Sequence, residues 1–135
     1  MGGRDLEAHI RATRRFLGHD GLGVTEVRVI SPDHGVSCIG FFDDENAFVR
    51  ACREESGKAS VYIGIQPRLA RFLDQAPNRI ARLRNGARDQ DIEQVSTIVL
   101  DADPIRPKNT ASTEEESGKA IAQRYPIRSG CSVPW

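Results

Sequence analysis

Cysteine and histidine are scarce in this sequence, and neither residue falls in a pattern that builds a site. The three cysteines are odd in number and have no C-x-x-C spacing, so neither a disulfide framework nor a structural zinc site is indicated. They are Cys38, Cys52 and Cys131. The three histidines share no metal-ligand spacing, and we expect all of them at the surface. They are His9, His19 and His34.

Long hydrophobic runs are absent as well. No apolar stretch approaches the roughly 18 residues that a membrane span needs, and the N-terminus has no apolar signal core. We therefore expect no membrane partner, and the lack of a disulfide framework favours the reducing cytoplasm. With 135 residues, 39% of them hydrophobic and 28% charged, the composition is that of a soluble globular chain. We expect residues 1–135 to form a single domain.

The sequence has no net charge, but its charges are segregated. Residues 61–88 contain six arginines against Asp74 alone, a net charge of +5. The arginines are Arg68, Arg71, Arg79, Arg82, Arg84 and Arg88. Guanidinium forks suit a phosphate-bearing ligand because they donate paired hydrogen bonds to its oxygens. The alternative is a solvated, arginine-rich surface.

Hydrophobic periodicity predicts an α+β fold with a partly antiparallel sheet and flanking helices. Helices are predicted over residues 5–17, about 44–55 and about 112–124. The third of them begins at a capping box, Ser112 to Glu115. Strands are predicted over residues 24–30, 36–42, 61–65 and 97–100, the first two as a hairpin. Residues 69–94 have no sustained period and are expected to be irregular.

The last predicted strand ends in two carboxylates. Residues 98–100 are Ile-Val-Leu, and Asp101 and Asp103 follow, with Pro104 stopping the strand. Side chains at i and i+2 of a strand point to the same side, so the two carboxylates would project together. A hard divalent cation such as Mg²⁺ or Mn²⁺ would offset their repulsion. The alternative is a polar end of the strand with both aspartates solvated.

Two stretches together resemble the archaeo-eukaryotic primase superfamily, and most closely the primase-polymerases of phages, plasmids and bacterial mobile elements. They are Val61-Tyr-Ile-Gly-Ile-Gln-Pro-Arg68 and, after Asp91-Ile-Glu93, Ile98-Val-Leu-Asp-Ala-Asp-Pro104. In that superfamily a hydrophobic strand ends in Asp-x-Asp or Asp-x-Glu, whose carboxylates bind the catalytic metals. The resemblance implies that Asp101 and Asp103 are catalytic ligands of Mg²⁺ or Mn²⁺ in a DNA primase or polymerase, a nucleotidyltransferase.

The resemblance also implies nucleotides and a single-stranded DNA template as partners, and further helicase or replication modules on the full-length protein. The candidates for binding nucleotide or template phosphates are seven cationic side chains and one serine. They are Arg68, Arg79, Arg82, Arg84, Arg88, Arg106, Lys108 and Ser129. For Arg68 the alternative is an ion pair with Asp91 or Glu93.

The sequence departs from the superfamily in two places. A Ser-x-His element is expected after the helix that follows the acidic pair, but Ser129-Gly-Cys-Ser-Val-Pro-Trp135 contains no histidine. A later metal-binding aspartate is also missing. We therefore expect the N-terminal part of an incomplete primase-polymerase-like catalytic domain, and whether it is an enzyme by itself stays open. The alternatives are a non-catalytic nucleic-acid-binding remnant and another Asp-x-Asp metal enzyme, a phosphatase or a glycosyltransferase.

Overall fold

A four-stranded antiparallel sheet dominates the first of two units into which the chain divides, Met1–Ile98 and Val99–Trp135. The computed structural model describes residues 2–32, 37–101, 103–105, 107–111 and 113–124. The α+β prediction is confirmed in this coarse form. The narrower expectation of a primase-polymerase-like domain, and that of a single domain over residues 1–135, stay predictions.

The strands of the sheet lie in the order β3-β1-β2-β4. They are β1 (Thr25–Ile30), β2 (Ser37–Phe42), β3 (Ser60–Ile63) and β4 (Ile80–Ala81). The predicted hairpin is confirmed, with Val27 of β1 opposite Gly40 of β2 and opposite Ile63 of β3. The two-residue strand β4 lies inside the predicted irregular segment and pairs with β2.

Two helices, α1 (Gly3–Leu17) and α2 (Glu45–Glu55), pack against one face of the sheet. The side chain of Asp44 caps α2 by accepting a hydrogen bond from the Ala47 amide at 2.7 Å. Phe48 of α2 is fully buried against Phe42 of β2, with ring centroids 5.8 Å apart. Burial raises the pKa of the Cys52 thiol to about 12, so this cysteine is a packing residue without nucleophilic reactivity.

One residue of α1 is buried against its sequence pattern. The amphipathic pattern of residues 5–17 predicts Arg14 on the polar face of the helix, but its side chain is only 3% exposed. Its guanidinium lies over the Phe48 ring, 5.9 Å from the centroid, and its Nη2 donates to Asp20 at 2.7 Å. A cation can be buried here because an aromatic face and a carboxylate replace water around it.

The irregular segment after β3 covers part of the opposite face of the sheet. It contains two 3₁₀ turns, Ala70–Gln75 and Asp89–Asp91, and otherwise little regular structure. Phe72 packs on Phe41 of β2, with ring centroids 5.2 Å apart, and Ala76 and Ala87 are buried beside them. The segment therefore supplies the second half of the hydrophobic core.

The predicted strand over residues 97–100 is wrong. These residues have no regular secondary structure, and the side chains of Ile98, Val99 and Leu100 are 79%, 65% and 62% exposed. An apolar run becomes a strand only where a neighbouring strand supplies backbone partners. Within the described residues, no strand pairs with residues 97–100.

The second unit contains helix α3 (Glu114–Arg124). Its capping box lies one residue later than predicted. The Thr113 amide donates to the Glu116 carboxylate at 2.9 Å, and the Glu116 amide donates to the Thr113 hydroxyl at 3.2 Å. Among the described residues no helix is both long and apolar enough to cross a membrane.

The cap of α2 gives a test of the fold. Replacing Asp44 by alanine removes the acceptor for the Ala47 amide, and we expect it to lower the free energy of unfolding by about 1 kcal/mol. Asp44→Ser keeps an acceptor at the same position and should stay close to the wild type. Urea denaturation of the three proteins measures the difference, and equal losses for both variants would contradict the role of the cap.

Candidate functional site

The turn after β3 joins two distant parts of the chain. Beyond Ile63, the Gly64 amide still donates to Glu26 O of β1 at 2.8 Å. Arg68 then pairs with Val24, since its amide donates to Val24 O at 2.8 Å and its carbonyl accepts from Val24 N at 3.0 Å. Pro67, just before it, is fully buried. The sheet is thus extended by one residue pair beyond the ends of β1 and β3.

On its other side, this turn is hydrogen-bonded to residues 91–93, which precede the acidic pair in the chain. Leu69 N donates to Asp91 O and Glu93 N donates to Pro67 O, each at 2.9 Å. Residues 67–69 therefore lie between Val24 on one side and residues 91–93 on the other. This arrangement attaches the 91–93 segment to the sheet although the segment belongs to no named strand.

The side chain of Gln66 extends this attachment toward the acidic pair. Its Oε1 accepts hydrogen bonds from Ser96 N at 2.9 Å and Thr97 N at 3.2 Å, and its Nε2 donates to Thr97 O. An amide side chain offers the same donor and acceptor as a peptide group, so Gln66 takes the place of a neighbouring strand here. We call this set of bonds the Gln66 clamp. It fixes Thr97, four residues before Asp101.

A buried histidine binds the backbone of the residue that precedes Gln66. His19 is 1% exposed, and its Nε2 donates to Ile65 O at 2.7 Å while its Nδ1 accepts from the Thr25 hydroxyl at 2.8 Å. Because a carbonyl can only accept, Nε2 carries a proton. Burial lowers the pKa of His19, which favours the neutral imidazole with Nδ1 as the acceptor.

The surface position predicted for His19 is therefore wrong. The histidine follows Gly18, which ends α1 in the left-handed conformation (φ 64°) and turns the chain back over the sheet. Spacing in the sequence gave no signal for its partner, because Ile65 lies 46 positions further on. His9 is exposed as predicted, and His34 lies outside the described residues.

A buried carboxylate lies next to the turn. Glu26 of β1 is 2% exposed, and its Oε2 is 3.3 Å from Arg68 Nε while Oε1 binds Arg28. The alternative partners considered for Arg68, Asp91 and Glu93, are wrong. Glu26 provides the counter-charge because the backbone of Arg68 pairs with that of Val24, and Val24 lies two residues before Glu26 in the chain.

Asp91 has other partners. Its carboxylate accepts from Arg71 Nη2 at 3.1 Å and from the Arg88 amide at 2.8 Å. It thereby closes the 3₁₀ turn at residues 89–91 and holds the end of the arginine-rich segment. The ion pair with Arg68 that the sequence offers as an alternative is thus replaced by one with Arg71.

The remaining predicted residues are divided between the two units. Four arginines of the basic segment are exposed, and among the described residues their side chains have no ion pair. They are Arg79, Arg82, Arg84 and Arg88. Asp101, Asp103 and Lys108 are exposed in the second unit, and Arg106 and Ser129 lie outside the described residues. No group of three or more potential metal ligands occurs within the described part of the chain, so the role of the two aspartates stays a prediction.

No family model, curated protein or solved structure matches the chain.

The buried histidine predicts a pH dependence. Because the folded protein has the lower His19 pKa, the stability that neutral His19 contributes is complete above the unfolded value of 6.5 and is lost as the pH falls below it. The slope should approach about 1.4 kcal/mol per pH unit at most. His19→Gln should lower stability but flatten this slope between neutral pH and about pH 5.

Exposed His9 provides the control for this experiment. Urea denaturation at a series of pH values should give His9→Gln the wild-type slope. If His19→Gln also keeps the wild-type slope, the imidazole is not buried in its neutral form.

Proposed function

We propose that this chain carries the acidic metal-binding segment of a nucleotidyltransferase of the primase-polymerase type. Asp101 and Asp103 would bind Mg²⁺ or Mn²⁺, and a single-stranded DNA template and nucleotides would be the partners. The observation that supports this most is the Gln66 clamp. It bonds Gln66, in the first of the two stretches that carry the resemblance (residues 61–68), to Ser96 and Thr97, which directly precede the second (residues 98–104). The clamp thus gives a physical reason for the two stretches to occur together.

The donor set of the acidic pair suits the proposed metals. Asp101 and Asp103 are exposed carboxylates, which are hard oxygen ligands, and Mg²⁺ commonly binds to one or two carboxylates while keeping several waters. When bound, such an ion neutralises charge on the phosphate oxygens in an in-line displacement. The contribution of the chain is to hold Thr97 by the clamp, so that the segment before the carboxylates starts from a fixed point.

The arginines divide into two groups with different roles. Arg68 and Arg71 are engaged in ion pairs with Glu26 and Asp91 and stabilise the fold. The exposed arginines of residues 79–88 have no such partner among the described residues, so their charge is available for phosphates in solution. This group supports nucleic-acid binding whether or not the chain is catalytic, and non-catalytic binding is therefore the second candidate.

Metal binding tests the role of the acidic pair. We expect Asp103→Asn to weaken Mn²⁺ binding by about tenfold or more, because one unit charge about 4 Å from a divalent ion contributes about 2 kcal/mol in water. Stability without metal should be unchanged or slightly higher, since removing one charge relieves repulsion. Electron paramagnetic resonance titration of free Mn²⁺ and thermal melts provide the two measurements.

Asp74→Asn is the matched control, because it removes one exposed carboxylate from the 3₁₀ turn at residues 70–75. It should leave Mn²⁺ binding at the wild-type level. Equal Mn²⁺ affinity in all three proteins would exclude Asp103 as a ligand, and a large loss of stability in metal-free Asp103→Asn would make it a structural residue.

Salt dependence tests the exposed arginines. Replacing Arg79, Arg82, Arg84 and Arg88 by serine should reduce the slope of log affinity against log salt concentration by up to about 3 for single-stranded DNA, because fewer counterions are released. The control replaces Arg4, Arg15, Arg50 and Arg53 of α1 and α2 and removes the same charge. Fluorescence anisotropy measures both, and equal reductions would mean that only net charge matters.

A further inference from the structure

One face of the sheet is covered over only half of its width. On β2, the side chains of Ile39 and Phe41 lie under the irregular segment and are 3% and 0% exposed. On β3, Tyr62 occupies the same face, since it lies directly opposite Arg28 of β1 and on the side away from the helices. Tyr62 is 57% exposed. The β3 side of this face thus presents an aromatic ring to solvent.

Arg28, the cross-strand neighbour of this ring, is held in place. Its Nε binds the Glu26 carboxylate and its Nη2 donates to Ala87 O at 2.8 Å, while 42% of its side chain remains exposed. The same carboxylate pairs with Arg68, which is 15% exposed. Glu26 therefore orients two guanidinium groups, but its single negative charge neutralises only one of their two positive charges.

The hydrogen bond to Ala87 O also brings the basic segment to this face. A side chain at Gly86 would come within 2.8 Å of Arg28 Nη2, so the backbone of residues 86–87 lies directly against that guanidinium. Exposed Arg84 and Arg88 lie two residues before and one residue after this backbone in the chain. The exposed ring of Tyr62 thus has Arg28 as its cross-strand neighbour, and the backbone bound to Arg28 lies between two further exposed arginines in the sequence.

We propose that this surface binds single-stranded nucleic acid, with a base stacked on Tyr62 and phosphates on Arg28 and the adjoining arginines. We call it the Tyr62 face. The inference deepens the proposed function, on which it rests, by naming where the nucleic acid lies. An aromatic ring beside a positive track is the arrangement by which proteins hold single strands without reading their sequence.

Charge complementarity favours this occupant over a second copy of the chain. A symmetric dimer contact would place the surface on itself and bring Arg28 and its neighbours close to their equivalents, which costs free energy. A nucleic acid supplies the opposite charge at regular spacing together with flat bases.

The experiment uses two fluorescein-labelled probes of equal length, oligothymidylate and an abasic strand with the same phosphates, in metal-free low-salt buffer. Tyr62→Thr removes the ring and keeps a residue that favours strands. We expect it to weaken oligothymidylate binding about tenfold and to leave abasic-strand binding unchanged. Tyr62→Phe should bind both probes like the wild type, because stacking needs the ring and not the hydroxyl.

Phe16→Thr is the matched control. It removes a ring that is 85% exposed on α1, the helix that packs with the opposite face of the sheet, and it should change neither affinity. Thermal melts confirm that each variant is folded. Light scattering reports the oligomeric state of each protein.

Three outcomes would overturn the inference. Unchanged oligothymidylate binding by folded Tyr62→Thr would place the bases elsewhere. Equal losses for the two probes would mean that the ring acts through structure and not through stacking. A dimer lost only in Tyr62→Thr, with oligothymidylate binding intact, would assign the face to self-association. Because the buffer contains no metal, this experiment does not depend on whether Asp101 and Asp103 bind a metal. Failure of the Tyr62 proposal likewise leaves the metal proposal untouched.

Discussion

Backbone polar groups that leave water need hydrogen-bond partners. The partners of the residues after β3 fix the positions of several distant segments of the first unit. Strand β3 ends at Ile63, yet the next residues do not leave the sheet. Arg68 pairs with Val24, residues 67 and 69 bond to residues 93 and 91, and the amide of Gln66 bonds to Ser96 and Thr97. A four-residue turn therefore connects the sheet to a segment about thirty positions away.

The charge of Glu26 imposes a second requirement. A carboxylate that is 2% exposed is tolerable only when cations compensate for its lost hydration. Arg28 and Arg68 provide this, and Arg28 in turn binds Ala87 O, which holds the long irregular segment against the sheet. One buried negative charge thus fixes the orientation of two guanidinium groups and the position of a loop.

These two constraints separate the structural arginines from those available to a ligand. Arg14, Arg68 and Arg71 are engaged with carboxylates of the chain. The exposed arginines of the 79–88 segment are not, within the described residues, and Arg28 is shared between both roles. The proposals for nucleic-acid binding depend on the exposed set together with Tyr62, while the metal proposal depends on Asp101 and Asp103 in the second unit.

The sequence by itself determined what is decided within a few residues. Helices α1, α2 and α3, the hairpin of β1 and β2, and the irregular nature of the segment after β3 were all predictable, because periodicity, capping and turn residues act locally. The role of the acidic pair stays a prediction, because the strand from which its geometry was argued does not form.

Only the tertiary structure decided which distant groups meet. Burial of His19 depends on Ile65, 46 positions away, and burial of Arg14 depends on a ring in another helix. The partner of Arg68 is Glu26 of β1, and not Asp91 or Glu93, which follow Arg68 in the chain. Residues 97–100 have the composition of a strand, but an apolar run becomes one only when another strand pairs with it, and that condition is not encoded within the run.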